Sequence, residues 1–149
     1  MKSLFDPSVN KEMINRIQKL DAQKSPVWGK MTVAQMVTHA QKPFKVAFEE
    51  LRLKRGLPGI LFGGIARRQI TKPKPFQKNL PTDKNFVIKN HPDFEAEKDN
   101  LIHYVEKFSK VGPKGITQKP HPFFGKMTTS EWDALMYKHL DHHLRQFGE

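Results

Sequence analysis

Cysteine is absent from all 149 residues. That excludes a disulfide framework and any thiolate-ligated metal or thiol nucleophile. Absence of Cys is compatible with a reducing compartment. Long apolar runs are missing too, and none approaches the ~20 residues that span a bilayer. The opening Met-Lys-Ser-Leu-Phe-Asp-Pro has a lone Lys and no apolar core, so no signal peptide is expected and the expected location is cytoplasmic. Acidic residues are scarce, 15 Asp and Glu against 26 Lys and Arg, for a formal charge of +11. Several catalytic signatures are also lacking. The sequence holds no Gly-rich phosphate loop, no zinc-protease His-Glu-x-x-His, no serine nucleophile elbow and no paired-carboxylate di-iron pattern.

What is present suits one globular domain over residues 1–149. Hydrophobic residues make up 37% of the chain, and 11 Phe supply much of the packing area. The excess of positive charge attracts polyanions, whether nucleic acid, anionic lipid or acidic metabolites. Much of it is concentrated from Arg52 to Lys78 and again from Lys110 to Lys126, where it reads as a solvated surface.

Hydrophobic periodicity places four long helices. The first opens at Asp6 or Ser8 with Pro7 near its first position, and its stripe is Val9, Met13, Ile17 and Leu20. The second starts at Thr32, which forms a capping box with Gln35, and carries Val33, Met36, Val37, Ala40, Phe44, Ala47, Phe48 and Leu51. Pro43 has no N–H for the carbonyl of His39, so a kink is expected there. Residues 56–70 are apolar and glycine-rich, and read as one broken helix packed on the bundle rather than lying on a membrane. Residues 71–92 form a long Pro-rich loop in which Phe86-Val87-Ile88 is extended. The third helix runs from about Pro92 to Lys110, and a Pro/Gly loop follows over 111–125. The fourth opens at Thr128, in a capping box with Glu131, and ends near Gly148. Four helices without a hairpin imply an all-α bundle.

Histidine placement carries the chemistry. His139 and His143 stand at i and i+4 on a stripe with Trp132, Leu135 and Met136, so both rings project to the core side. His39 follows the cap of its helix by about two turns, and His139 and His143 follow theirs by about three and four. Their azimuths therefore agree. Three neutral imidazoles suit a divalent Zn, Ni or Fe ion with coordination positions left open. The bland alternative is three hydrogen-bonded core histidines. His142, about 100° off the stripe, reads as a surface or supporting residue, and His103 as surface. His91 and His121 each precede a proline in a loop. Glu49, Glu131 and Asp141 are the carboxylates available as an acid or base, and the sequence does not choose among them.

Three stretches carry a resemblance: Trp28 through His39, His121 through Thr128, and Trp132 through Gln146. They resemble the DinB-like superfamily, and within it a bacterial subfamily of unknown function. That resemblance implies a four-helix bundle with one metal-ligating His on the second helix and an His-x-x-x-His pair on the fourth. His39, His139 and His143 match these positions, whereas residues 56–88 read as a long insertion between helices two and three. It also implies, for some relatives, metal-dependent transfer of a low-molecular-weight thiol to an electrophile. The expected function is a metal-dependent transferase or hydrolase that activates such a thiol, or water. The expected partners are a small-molecule substrate such as an anionic thiol, and a second copy of the chain. The alternative is a non-catalytic basic module that binds nucleic acid or another polyanion. No membrane partner is expected.

Overall fold

The computed structural model describes residues 2–149, and among them the regular elements are helical. They are α1 (Pro7–Gln18), α2 (Val33–Ala40), α3 (Lys42–Ala47), α4 (Leu57–Ile70), α5 (Phe94–Val111) and α6 (Thr129–Gln146), with a 3₁₀ turn at Pro113–Gly115. No strand occurs among the described residues; a lone antiparallel bridge joins His121 to Gly125.

α1, α2, α5 and α6 each start where a short polar side chain serves the free amides of the first turn. Asp6 accepts from the Ser8 amide, and Asp93 accepts from Ala96. Thr32 with Gln35 and Thr128 with Glu131 form both halves of a capping box, satisfying two orphan donors each. α5 stops at Gly112, whose φ of 64° few other residues adopt readily.

The expected stripes are buried. Met13 and Ile17 of α1, Met36 and Val37 of α2, Leu101 and Val105 of α5, and Leu140 and Leu144 of α6 meet in one core. α5 packs on α1 and α2, while α6 packs on α1, α2, α3 and α4. The second expected helix is divided at Gln41, two residues before Pro43. Gln41 keeps helical angles, so the division is slight and Phe44 and Ala47 continue the buried stripe. Its buried side-chain amide donates to the Val37 carbonyl and to Glu97 of α5. The proline break is thereby tied to the neighbouring helix.

One expectation is corrected. Residues 57–70 form one unbroken helix, because the single Pro58 falls in its first turn, where no N–H is required. Its large apolar residues point outward; only Gly59, Gly63 and Ile70 are buried. Residues 86–88 join no strand, and Phe86 sits in a turn. Asp83 accepts from the Asn85 amide, its carbonyl accepts from Phe86, and this local turn wins because no strand is available to pair with.

The 121–125 turn seats α4. His121 and Gly125 exchange backbone hydrogen bonds of 2.8 and 3.0 Å. Nδ1 of His121 accepts from the amides of Phe123 and Phe124, and its ring lies 5.2 Å from that of Trp132. Burial lowers the His121 pKa to about 4. A proton on Nδ1 would also face two N–H donors. The unfolded chain, with an ordinary pKa near 6.5, binds that proton more readily, so folding stability rises with pH in this window. Stability from His121 is complete above about pH 6.5 and is lost as pH falls toward 4, by roughly 3 kcal/mol at most. Asn carries an acceptor at a similar position and does not titrate. Urea midpoints measured from pH 7 to pH 4 should therefore fall less steeply for His121→Asn than for the wild type. Parallel slopes would contradict this role.

Candidate metal centre

α2 contributes His39 from its last turn, and α6 contributes His139 and His143 from successive turns. Packing of α2 against α6 brings the rings together, with centroids 5.1 Å apart for His39 and His139, 4.7 Å for His39 and His143, and 4.6 Å for His139 and His143. One nitrogen from each ring falls within 4.8 Å of the others. Nε2 of His39 and Nε2 of His139 are 3.2 Å apart. Two nitrogens each 2.0–2.1 Å from a tetrahedral ion stand about 3.3 Å apart, so this pair already has ligand spacing.

Two of the rings are held from behind. His39 Nδ1 lies 2.9 Å from the Phe86 carbonyl, and His143 Nδ1 lies 2.9 Å from Gln146 Oε1. Both partners only accept, so each Nδ1 must carry the proton and each Nε2 keeps its lone pair. The Gln146 amide is itself fixed, because its Nε2 donates to the Trp28 carbonyl at 2.8 Å. Supporting acceptors of this kind set tautomer and ring angle in histidine metal sites.

Burial keeps the cluster neutral. Desolvation is the main cause at all three rings, and each also feels a neighbouring imidazole. It depresses His39, lowers His143 to about 3 and holds His139 well below the ordinary histidine value. His139 is walled in by protein on most sides yet keeps partial solvent access, unlike the buried His39 and His143. Neutral, nitrogen-only donors fit Zn, Ni or Fe and do not fit Mg or Ca, which require oxygen ligands.

The remaining candidates fall elsewhere. His142 sits beside the cluster, its ring 5.2 Å from His143 and edge-on to Trp28 at 5.6 Å, and it supplies no cluster nitrogen. His91 and His103 are exposed, while His121 holds the turn described above. No carboxylate joins the cluster. Glu131 serves its cap and pairs with Arg67, Asp141 pairs with Arg16 at 2.8 Å, and Glu49 pairs with Lys119 and Thr117.

The sequence reading missed the supporting acceptors. Gln146 was legible in principle, since a residue at i+3 from His143 shares its face. The Phe86 carbonyl was not, because it comes from a loop far along the chain. That loop also lays Phe76 against His142, with centroids 6.3 Å apart.

A family model described as a protein of unknown function (DUF1569) matches residues 7–149, nearly the whole chain. The chain belongs to that family. No curated protein and no solved structure matches it. That family description names no activity.

Proposed function

We propose that this DUF1569 protein is a metal-dependent enzyme whose His39, His139 and His143 hold a divalent Zn, Ni or Fe ion. The observation that carries the reading is the convergence of three neutral imidazole nitrogens within 4.8 Å, two of them with tautomers dictated by acceptors. With Nδ1 of His39 and His143 both donating to fixed acceptors, the Nε2 lone pairs of these two rings are left for a metal ion. A bound ion of this type supplies Lewis acidity and lowers the pKa of a coordinated thiol or water.

The residues of the chain restrict what that chemistry accomplishes. Phe86 and Gln146 keep the ligand rings in place, and His139 is the one of the three that is not fully buried. With no carboxylate in the cluster, proton transfer by a protein base is not built in. A nucleophile that ionises on binding suits such a site. We therefore favour transfer of a low-molecular-weight anionic thiol to an electrophile, with the basic surface drawing in the thiol. In that step the sulfur–carbon bond forms as the leaving group departs, and the thiol proton passes to solvent. Hydrolysis by activated water is the related alternative.

The same reading assigns the fold to the DinB-like four-helix bundle. α1, the α2–α3 pair, α5 and α6 would be its helices, with residues 56–88 inserted. Support comes from the helix order and from one His on the second helix facing a pair on the last.

The test is consumption of a panel of anionic thiols by an alkyl-halide or epoxide electrophile, using Zn-, Ni- and Fe-loaded protein beside chelated protein. Turnover is expected in at least one loaded form and not after chelation. Equal rates with and without metal would defeat the proposal.

A further inference from the structure

Most of the large apolar side chains left exposed among the described residues lie on α4. Leu57, Ile65, Leu61, Ile60 and Phe62 retain 66%, 65%, 59%, 59% and 59% of their surface. Their outward position follows from the opposite side of the helix. Gly59 and Gly63 press so closely on the 122–123 backbone that a Cβ at Gly59 would lie 2.9 Å from the Pro122 carbonyl oxygen. Arg67 and Arg55 secure that inner side, Arg67 through the Lys126 carbonyl and Arg55 through Gly59. α4 is thus held by its glycines, and its apolar face is turned away from the core. A solvent-facing helix normally carries charge on that face, and a continuous apolar patch signals a partner.

Charge identifies the partner. Every charged residue between Leu51 and Thr82 is Lys or Arg. Arg68 follows Leu61 and Ile65 by two and one helical turns and so shares their face. Lys54, Lys72 and Lys74 stand exposed on either side of the helix. A second copy docked through the same face would bring two such basic collars together, since a two-fold interface places like against like. Nucleic acid would match the charge and leave the apolar side chains unburied. An anionic lipid surface takes both.

We propose that α4 docks in the plane of an anionic phospholipid membrane. Leu57, Leu61, Phe62 and Ile65 enter the acyl boundary while Lys54, Arg68 and Lys72 meet the headgroup phosphates. At 14 residues the helix is about 21 Å long. Among the described residues no helix is long and apolar enough to cross a membrane, so the proposed attachment is peripheral. The expectation of no membrane partner rested on that missing span and on burial of this segment, which the fold does not provide.

Co-sedimentation of the full chain with phosphatidylcholine vesicles, with and without one-third phosphatidylserine, tests the proposal. Wild-type protein is expected to pellet with the anionic vesicles at low salt and to remain in solution with the neutral ones. Leu61→Asp combined with Ile65→Asp alters only exposed side chains, so circular dichroism should be unchanged while vesicle partitioning drops by roughly tenfold or more. Arg68→Glu with Lys72→Glu should weaken binding similarly, and added salt should weaken wild-type binding. Absence of binding at low salt would overturn the proposal, as would equal binding to neutral vesicles or full binding by the Leu61/Ile65 variant. A solution dimer dissociated by that same variant would assign the face to self-association instead.

Discussion

Replacing His139 with alanine is expected to strip the protein of bound metal while leaving its helices in place. His139 lies against both other rings, with Nε2 at 3.2 Å from Nε2 of His39 and its centroid 4.6 Å from His143. Without it, His39 and His143 offer two nitrogens on two helices, too few for a closed site. Met136, Leu140 and Leu144 continue to bury the same face of α6, so helix content should be maintained. Plasma mass spectrometry of untagged protein should give near-stoichiometric metal for the wild type and less than about a tenth of that for the variant. A thermal-shift series provides a second readout. Ligand at about 1,000 times its dissociation constant stabilises a folded protein by about 4 kcal/mol, and the variant should lose that gain entirely.

Gln146→Leu is the graded companion of that experiment. It leaves the three ligands intact but removes the acceptor behind His143 and unpairs the Trp28 carbonyl. Metal affinity should fall by about 10–100-fold, as for other supporting residues of histidine sites. Full metal retention in His139→Ala would remove the three-histidine assignment, whatever the companion shows.

Gly63→Ala is expected to dislodge α4. Its Cβ would fall well inside contact distance of the Phe123 carbonyl oxygen. That oxygen belongs to backbone clamped by the His121–Gly125 bridge and by the His121 ring, so it does not yield. Helix α4 must move instead, and Lys138 then suffers. Its buried ammonium donates to the Gln69 and Lys72 carbonyls at 2.8 and 3.0 Å, and both acceptors sit at the C-terminal end of α4. A buried charge stripped of partners is among the costliest defects a fold can carry. A loss of about 2–4 kcal/mol is expected by urea denaturation, with faster proteolysis in the 71–92 loop. Gly64→Ala is the control, one residue along the same helix. Its Cβ meets nothing within 4 Å, so relief of glycine's backbone entropy should stabilise the protein by up to about 1 kcal/mol. Equal effects from the two substitutions would contradict the account of how α4 is seated.

Much of this protein was legible from residue patterns. Helix periods, both capping boxes and the pairing of His139 with His143 follow from local geometry, which depends on neighbours within a turn or two. The match of His39 to that pair was readable because both helices enter the core from similar caps, so azimuth could be carried from one to the other. The orientation of α4 was not legible in the same way. Its sequence offered an apolar helix with two glycines, and local rules favour burying the large side chains. Burial of the glycines instead follows from the close approach of the 122–123 backbone, which lies far along the chain.

The amino-acid sequence by itself determined which segments are helical, which faces are apolar and which three imidazoles share an azimuth, because those are short-range consequences of helical geometry. Only the tertiary structure decided the tautomers of His39 and His143, the exclusion of carboxylates from the cluster and the outward face of α4. Each of these depends on groups that reach one another only after the chain has folded. A carbonyl from residue 86, an amide from residue 146 and a turn at residue 123 become neighbours through packing of separate elements, and no local periodicity encodes that meeting.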